Sequence, residues 1–156
     1  KKGRTKFNEK YLGGFYYFCI KINLQKLKFN AMKRIIKTDK APAAIGPYSQ
    51  AVEANGTLYI SGQLPINPAI GKIEATDVTA QTEQVFANIK AILTEAGYSF
   101  NDVVKSTVFL SDIANFGGMN EVYKKYYVTD CPARSAFAVK DLPLGALVEI
   151  ETIAVK

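Results

Sequence analysis

Arg134 and Glu149 are the two side chains of this chain whose types and spacing best suit chemistry, fifteen positions apart in the stretch CPARSAFAVKDLPLGALVEIETIAV at 131–155. The guanidinium is a planar fork, charged at any working pH, that grips a carboxylate or phosphate through two parallel bonds. The carboxylate interrupts an alternating, branched apolar run. Partial burial there would raise its pKa toward neutrality and make it a base able to position or deprotonate water. Two short strands joined by a Leu-Pro-Leu-Gly turn bring the pair together, and that meeting is the expected site. The chain contains no histidine, which removes every Ser-His or Cys-His nucleophile and the commonest metal ligand. Gly46-Pro47-Tyr48 and Ser61-Gly62-Gln63 join the cluster, with Tyr48 and the Ser61-Gly62 backbone as donors and one pocket wall. Each feature has a plain structural alternative: an Arg134–Glu149 ion pair, a Tyr48 packed beside its proline, a bulge at Ser61-Gly62. Glu151 shares a strand face with Glu149, but nothing assigns it chemistry.

The elements that must hold these residues follow from periodicity. A short strand is expected within MKRIIKT (32–38), and Ala41-Pro42 to Pro47 form a turn-rich link that excludes helix. SQAVEA (49–54) and TLYISGQL (57–64) flank Asn55-Gly56, the signature of a two-residue type I′ hairpin. PINPAIGK (65–72) reads as a loop. Thr76, Asp77 and Thr79 offer caps for a helix whose apolar residues, Val78 through Ala96, recur at three to four, with Gly97 as the stop. A strand VVKSTVFL (103–110) precedes a second helix, capped by Ser111-Asp112 and weakened at its start by Gly117-Gly118. Its Phe116, Met119, Tyr123 and Tyr126 stripe reads as core. Strands at 133–139 and 146–155 complete the order β-β-β-α-β-α-β-β, an α+β layer with both helices on one face of a mixed sheet. In the last strand, Val148, Ile150, Thr152 and Ala154 face the helices. Leu147, Glu149, Glu151, Ile153 and Val155 face the other way, a surface too apolar to be simply wet and suited to a second subunit.

The length is that of one domain, and no apolar run approaches the roughly 20 residues a membrane span needs. The net charge of +6 suggests nucleic acid until it is divided. Residues 1–31 carry eight Lys/Arg and one acid, whereas the remaining 125 residues carry twelve basic and thirteen acidic side chains. The globular part is close to neutral, so no nucleic-acid partner is expected except weakly through the tail. That basic, aromatic-rich segment (1–31) reads as an extension in front of a domain spanning 32–156, or as a mitochondrial or plastid targeting segment. The two cysteines, Cys19 and Cys131, form neither a disulfide framework nor a zinc site by themselves, which makes a reducing, cytoplasmic compartment the default. No Asp/Glu spacing suggests a calcium loop.

From Met32 to Lys156 the chain resembles the Rid family, the reactive intermediate deaminases also called YjgF or L-PSP proteins. The residues that carry the likeness are APAAIGPYSQAV (41–52), YISGQLPINPAIGKI (59–73), VVKSTVFLSDIANFGGMNEVY (103–123), PARSAFAV (132–139) and VEIETIAV (148–155). The resemblance implies a chorismate-mutase-like fold of the bacillus type, a homotrimer with clefts between subunits, and no cofactor. It further implies hydrolysis of 2-imino acids, the unstable products of pyridoxal-phosphate-dependent enzymes, to 2-keto acids and ammonia. Carried over by position, Arg134 would hold the substrate carboxylate and Glu149 would orient the attacking water. Tyr48, Ser61 and Gly62 would line the pocket, and Asn120 would shape it. Ala136 stands where many relatives have cysteine; a contribution through its backbone would survive, whereas thiol switching would not. Two other readings accompany the family: a single-strand endoribonuclease that inhibits translation, and a non-catalytic trimer binding small carboxylates. The absence of histidine and the near-neutral domain weigh against the ribonuclease.

Overall fold

In the computed structural model, which describes residues 33–156, six strands form one sheet in the order β1-β2-β3-β6-β4-β5. The strands are β1 (Arg34–Ile36), β2 (Ala51–Ala54), β3 (Thr57–Gln63), β4 (Val103–Leu110), β5 (Ala133–Ala138) and β6 (Val148–Val155). Every pairing is antiparallel except β4 with β5. The sheet is therefore mixed, and its two crossovers run through helices, α1 (Val78–Ala96) between β3 and β4, and α2 (Phe116–Tyr126) between β4 and β5. Parallel neighbours need such a crossover because a tight turn cannot reverse the chain twice. This is the expected α+β arrangement, with its β-β-β-α-β-α-β-β order. The proposed extension at 1–31, its junction at Met32 and Cys19 lie outside the described residues.

Local chemistry explains the elements. Asn55 and Gly56 have φ of 53° and 71°, the two positive values that a type I′ turn requires. Asp77 caps α1 by accepting a hydrogen bond from Ala80 N at 2.9 Å, and Gly97 ends it in the left-handed region. Along α1, Val85, Phe86, Ile89, Ile92 and Leu93 are buried in the core cluster that lies between helices and sheet. Each such side chain contributes roughly 1.5–3 kcal/mol. β6 alternates as expected: Val148, Ile150, Thr152 and Ala154 are buried beneath the helices, and Glu149, Glu151, Ile153 and Val155 face away.

Three local expectations need correction. The first strand is confined to Arg34–Ile36, because Thr38 leaves the ladder and is bonded instead by the Gln50 side chain. The final strand starts at Val148 rather than 146. A 3₁₀ turn over Pro143–Gly145 precedes it, and Leu147 N donates to Gln81 Oε1 of α1 at 2.7 Å. Asp112 caps a 3₁₀ turn (Ile113–Asn115), not α2 itself, by accepting from Ala114 N. No helix among the described residues is long and apolar enough to cross a membrane.

Candidate active site

The structure gathers the candidate residues into two groups rather than one. The first surrounds Glu149. β3 gains one residue against β6 between Ile60 and Gln63, so Ser61-Gly62 form a bulge, which one structural alternative anticipated. The bulge has a purpose beyond bending the strand. A Cβ on Gly62 would sit 1.9 Å from Glu149 Oε1, so only glycine leaves room for the carboxylate. Ser61 ties this notch to the preceding segment: its Oγ donates to Ser49 O at 2.7 Å, and its N–H to Gln50 O at 3.0 Å. Tyr48, 53% exposed, is thereby held at a recess of about 150 Å³ that it shares with Gly62, Ile45 and Leu144.

Glu149 itself is half-buried and makes no side-chain hydrogen bond or ion pair among the described residues. Burial pushes its pKa above the ordinary carboxylate value of 4.5, and the neighbouring Glu151 charge adds to the shift. The residue across the ladder from it is Phe109, whose ring packs edge-on against Phe137, with centroids 5.5 Å apart. Phe109 belongs to this half of the site, although sequence reasoning passed over it. The signal was present: VVKSTVFL puts Phe109 on the strand face opposite Val108 and Leu110.

The second group surrounds Arg134. Its Nη1 donates to Asn120 Oδ1 at 2.9 Å, and the guanidinium lies 4.5 Å from the Tyr123 ring centroid and 5.4 Å from that of Phe116. Phe116, Asn120 and Tyr123 recur at four and three along α2, so one helix face supplies both the acceptor and two aromatic faces. The stripe read as core thus also seats the arginine. Ala136 lies two residues further on the same strand face and packs against the core. β5 is the sheet edge, so alternate backbone amides of this strand point away from any partner strand.

Within one chain the two groups do not meet. Arg134 is opposite Ser106 and Glu149 is opposite Phe109, with β4 between them. Two strand spacings and three residue rises separate their Cα atoms by roughly 14 Å. Their side chains also leave opposite faces of the sheet, Arg134 toward α2 and Glu149 toward the open face. Within one chain, the expected meeting and the ion pair offered as its alternative are both ruled out by the strand order, which inserts β4 between β5 and β6. The open face runs apolar across the sheet: Ile35, Val52, Tyr59 and Ile153 stand in register on β1, β2, β3 and β6. Among the described residues, no group of three or more His, Cys, Asp or Glu side chains is placed to hold a metal ion.

Comparison with known proteins adds four likenesses. The family model described as Endoribonuclease L-PSP matches residues 38–156. A RutC family protein of Pyrococcus horikoshii is 54% identical, over 80% of this chain and 99% of its own. The 2-iminobutanoate/2-iminopropanoate deaminase of Mus musculus is 49% identical, over 80% of this chain and 93% of its own. The crystal structure of RidA from an Antarctic Psychrobacter superposes with a TM-score of 0.76 at 50% identity, covering 79% of this chain and 99% of that one.

Proposed function

The chain belongs to the Endoribonuclease L-PSP family, also called Rid, and from that premise we propose that it is an imine deaminase, hydrolysing 2-imino acids to 2-keto acids and ammonia. One observation carries the reading: a partly buried Glu149 with a raised pKa, without a partner among the described residues, in a notch that only Gly62 permits. Arg134 complements it, since Asn120 takes only its Nη1 and leaves donors for a substrate carboxylate. The near-half identity to the mouse deaminase supports the substrate class.

The chemistry needs little beyond placement. Arg134 would hold the carboxylate of the imino acid and so fix the C=N carbon. Glu149 would take a proton from water as its oxygen bonds that carbon and the π electrons pass to nitrogen. The protonated carboxyl then returns its proton to the nitrogen, giving a carbinolamine; the carboxylate next takes the hydroxyl proton and passes it to the amine as the C–N bond breaks, which releases ammonia and leaves the keto acid. Imines hydrolyse readily, so orientation and a modest base supply most of what is required.

Because the two halves lie on opposite faces of one sheet, the complete site would form between copies, with Arg134 from one and Glu149, Tyr48, Ser61 and Gly62 from the next. The apolar row on the open face supports that assembly, and a homotrimer with three clefts is the form we propose. Neither membrane nor cofactor enters the scheme. A cytoplasmic location is part of it, with an organelle as the alternative if residues 1–31 act as a targeting segment.

The test couples the protein to a threonine dehydratase and follows 2-ketobutyrate. Wild type should accelerate its release, and Arg134→Ala should abolish the gain. An unchanged rate in the variant refutes the assignment. The endoribonuclease reading rests on the family description and on the names of similar solved structures, not on a residue of the site. Incubation with single-stranded RNA, again with Arg134→Ala as control, distinguishes a reaction at this site from contamination.

A further inference from the structure

Among the described residues, four core hydroxyls lack a hydrogen-bond partner: Ser106 Oγ, Thr152 Oγ1, Tyr123 OH and Tyr127 OH. All four residues are deeply buried, with exposures of 0%, 1%, 5% and 6% respectively. They come from separate elements and converge. Ser106 and Thr152 face each other across β4 and β6. Tyr123, in the last turn of α2, and Tyr127, just past it, have ring centroids 4.7 Å apart. The strand pair lies beside the phenols, because Arg134, opposite Ser106 on the ladder, holds its guanidinium over the Tyr123 ring. Four unsatisfied hydroxyls in one place are far from what buried polar groups tolerate. Polar sites of this composition hold ordered water, which typically makes about three bonds.

We infer that Ser106, Thr152, Tyr123 and Tyr127 bind one internal water molecule, and that this water fixes the aromatic seat of Arg134. The link is short. Arg134 is the cross-strand partner of Ser106, and its guanidinium lies over the Tyr123 ring. Holding the phenol from below limits the tilt of the ring and so the reach of the fork above it. The four residues are positioning groups; none of them touches substrate. The water site stands on geometry alone, whereas its consequence for ligand binding rests on the role proposed for Arg134.

A crystal structure of the wild-type chain at about 1.5 Å tests the first part. A water peak within roughly 2.7–3.2 Å of at least three of the four oxygens is expected. Absence of density, or direct hydroxyl–hydroxyl bonds closing the gap, overturns it. Two variants test the second part: Tyr123→Phe, which keeps the ring, and the pair Ser106→Ala with Thr152→Val, which keeps the bulk. In folded protein the dissociation constant for 2-ketobutyrate should rise roughly threefold to tenfold, as should KM, while kcat stays within about twofold. Unchanged binding with Arg134 still on Asn120 in both variant crystal structures overturns the positioning role. If wild type binds no keto acid, the deaminase reading is at fault. The positioning role is then decided by whether the Arg134–Asn120 bond persists in the variants.

Discussion

Gly62 shows how narrowly a single residue sets this site. Its missing side chain is the space that Glu149 occupies. The clash introduced by Gly62→Ala would fall on the movable end of a glutamate, so the fold should survive with little change in Tm. The carboxylate would swing away, and a displacement of about 1 Å at a reacting group costs up to ~100-fold. We therefore expect kcat/KM in the coupled assay to fall by one to two orders of magnitude with the thermal midpoint nearly unchanged. Glu149→Gln separates charge from shape. Burial raises the Glu149 pKa above 4.5 in the folded protein, so the folded state favours the protonated form. Its contribution to stability is intact below the unfolded pKa and is lost as pH rises through the folded one. At neutral pH the glutamine variant should melt higher than wild type, and the advantage should vanish on acidification below about 4.5, as calorimetry across pH would reveal. As a base, Glu149 must be ionised, so wild-type kcat/KM should decline toward acid with a midpoint above the ordinary carboxylate value. Glu149 stood out in the sequence as a candidate because it breaks an apolar alternation. Gly62 read only as a place of close approach, since the approaching group comes from a strand 87 positions later.

At the scale of elements, periodicity located both helices and all six strands, and it missed how they are joined. Gly117-Gly118 look like defects in the first turn of α2. In the fold Gly118 is a contact, since a Cβ there would lie 2.6 Å from Val78 Cγ1 and 3.1 Å from Thr79 Oγ1 on α1. Gly118→Ala should gain helix propensity, about 1 kcal/mol, and lose more through overpacking of the helix pair, roughly 1–3 kcal/mol. The net expectation is destabilisation in denaturant titration, and a more stable variant would show that the helices separate freely. Strand adjacency was the least legible feature. Arg134 and Glu149 lie on consecutive strands of the chain, and consecutive strands usually pair. Here β4 takes the place between them because it pairs with β5 in parallel and with β6 in antiparallel fashion. Nothing in the spacing of two side chains encodes which strand a third element will insert.

The domain formed by residues 33–156 presents helices on one side of its sheet and an apolar face on the other. The alternation of β6 made that face readable in advance, and the assembly we propose is what would cover it. What remained hidden was the division of labour, because opposite faces only acquire meaning once the sheet order is known. The division has a kinetic consequence. If each cleft takes its arginine from one chain and its glutamate from another, an isolated chain is inactive however well folded. Specific activity should fall on dilution below the dissociation constant of the assembly. The same logic permits rescue between two dead proteins. Arg134→Ala and Glu149→Gln chains, each inactive alone, should regain about a quarter of wild-type activity when unfolded together in equal amounts and reassembled, if subunits mix at random in a cyclic trimer. Failure to recover any activity would mean that both groups serve from one chain. If the proposed assembly holds, the interposed β4 makes catalysis a property of the mixture rather than of the single chain.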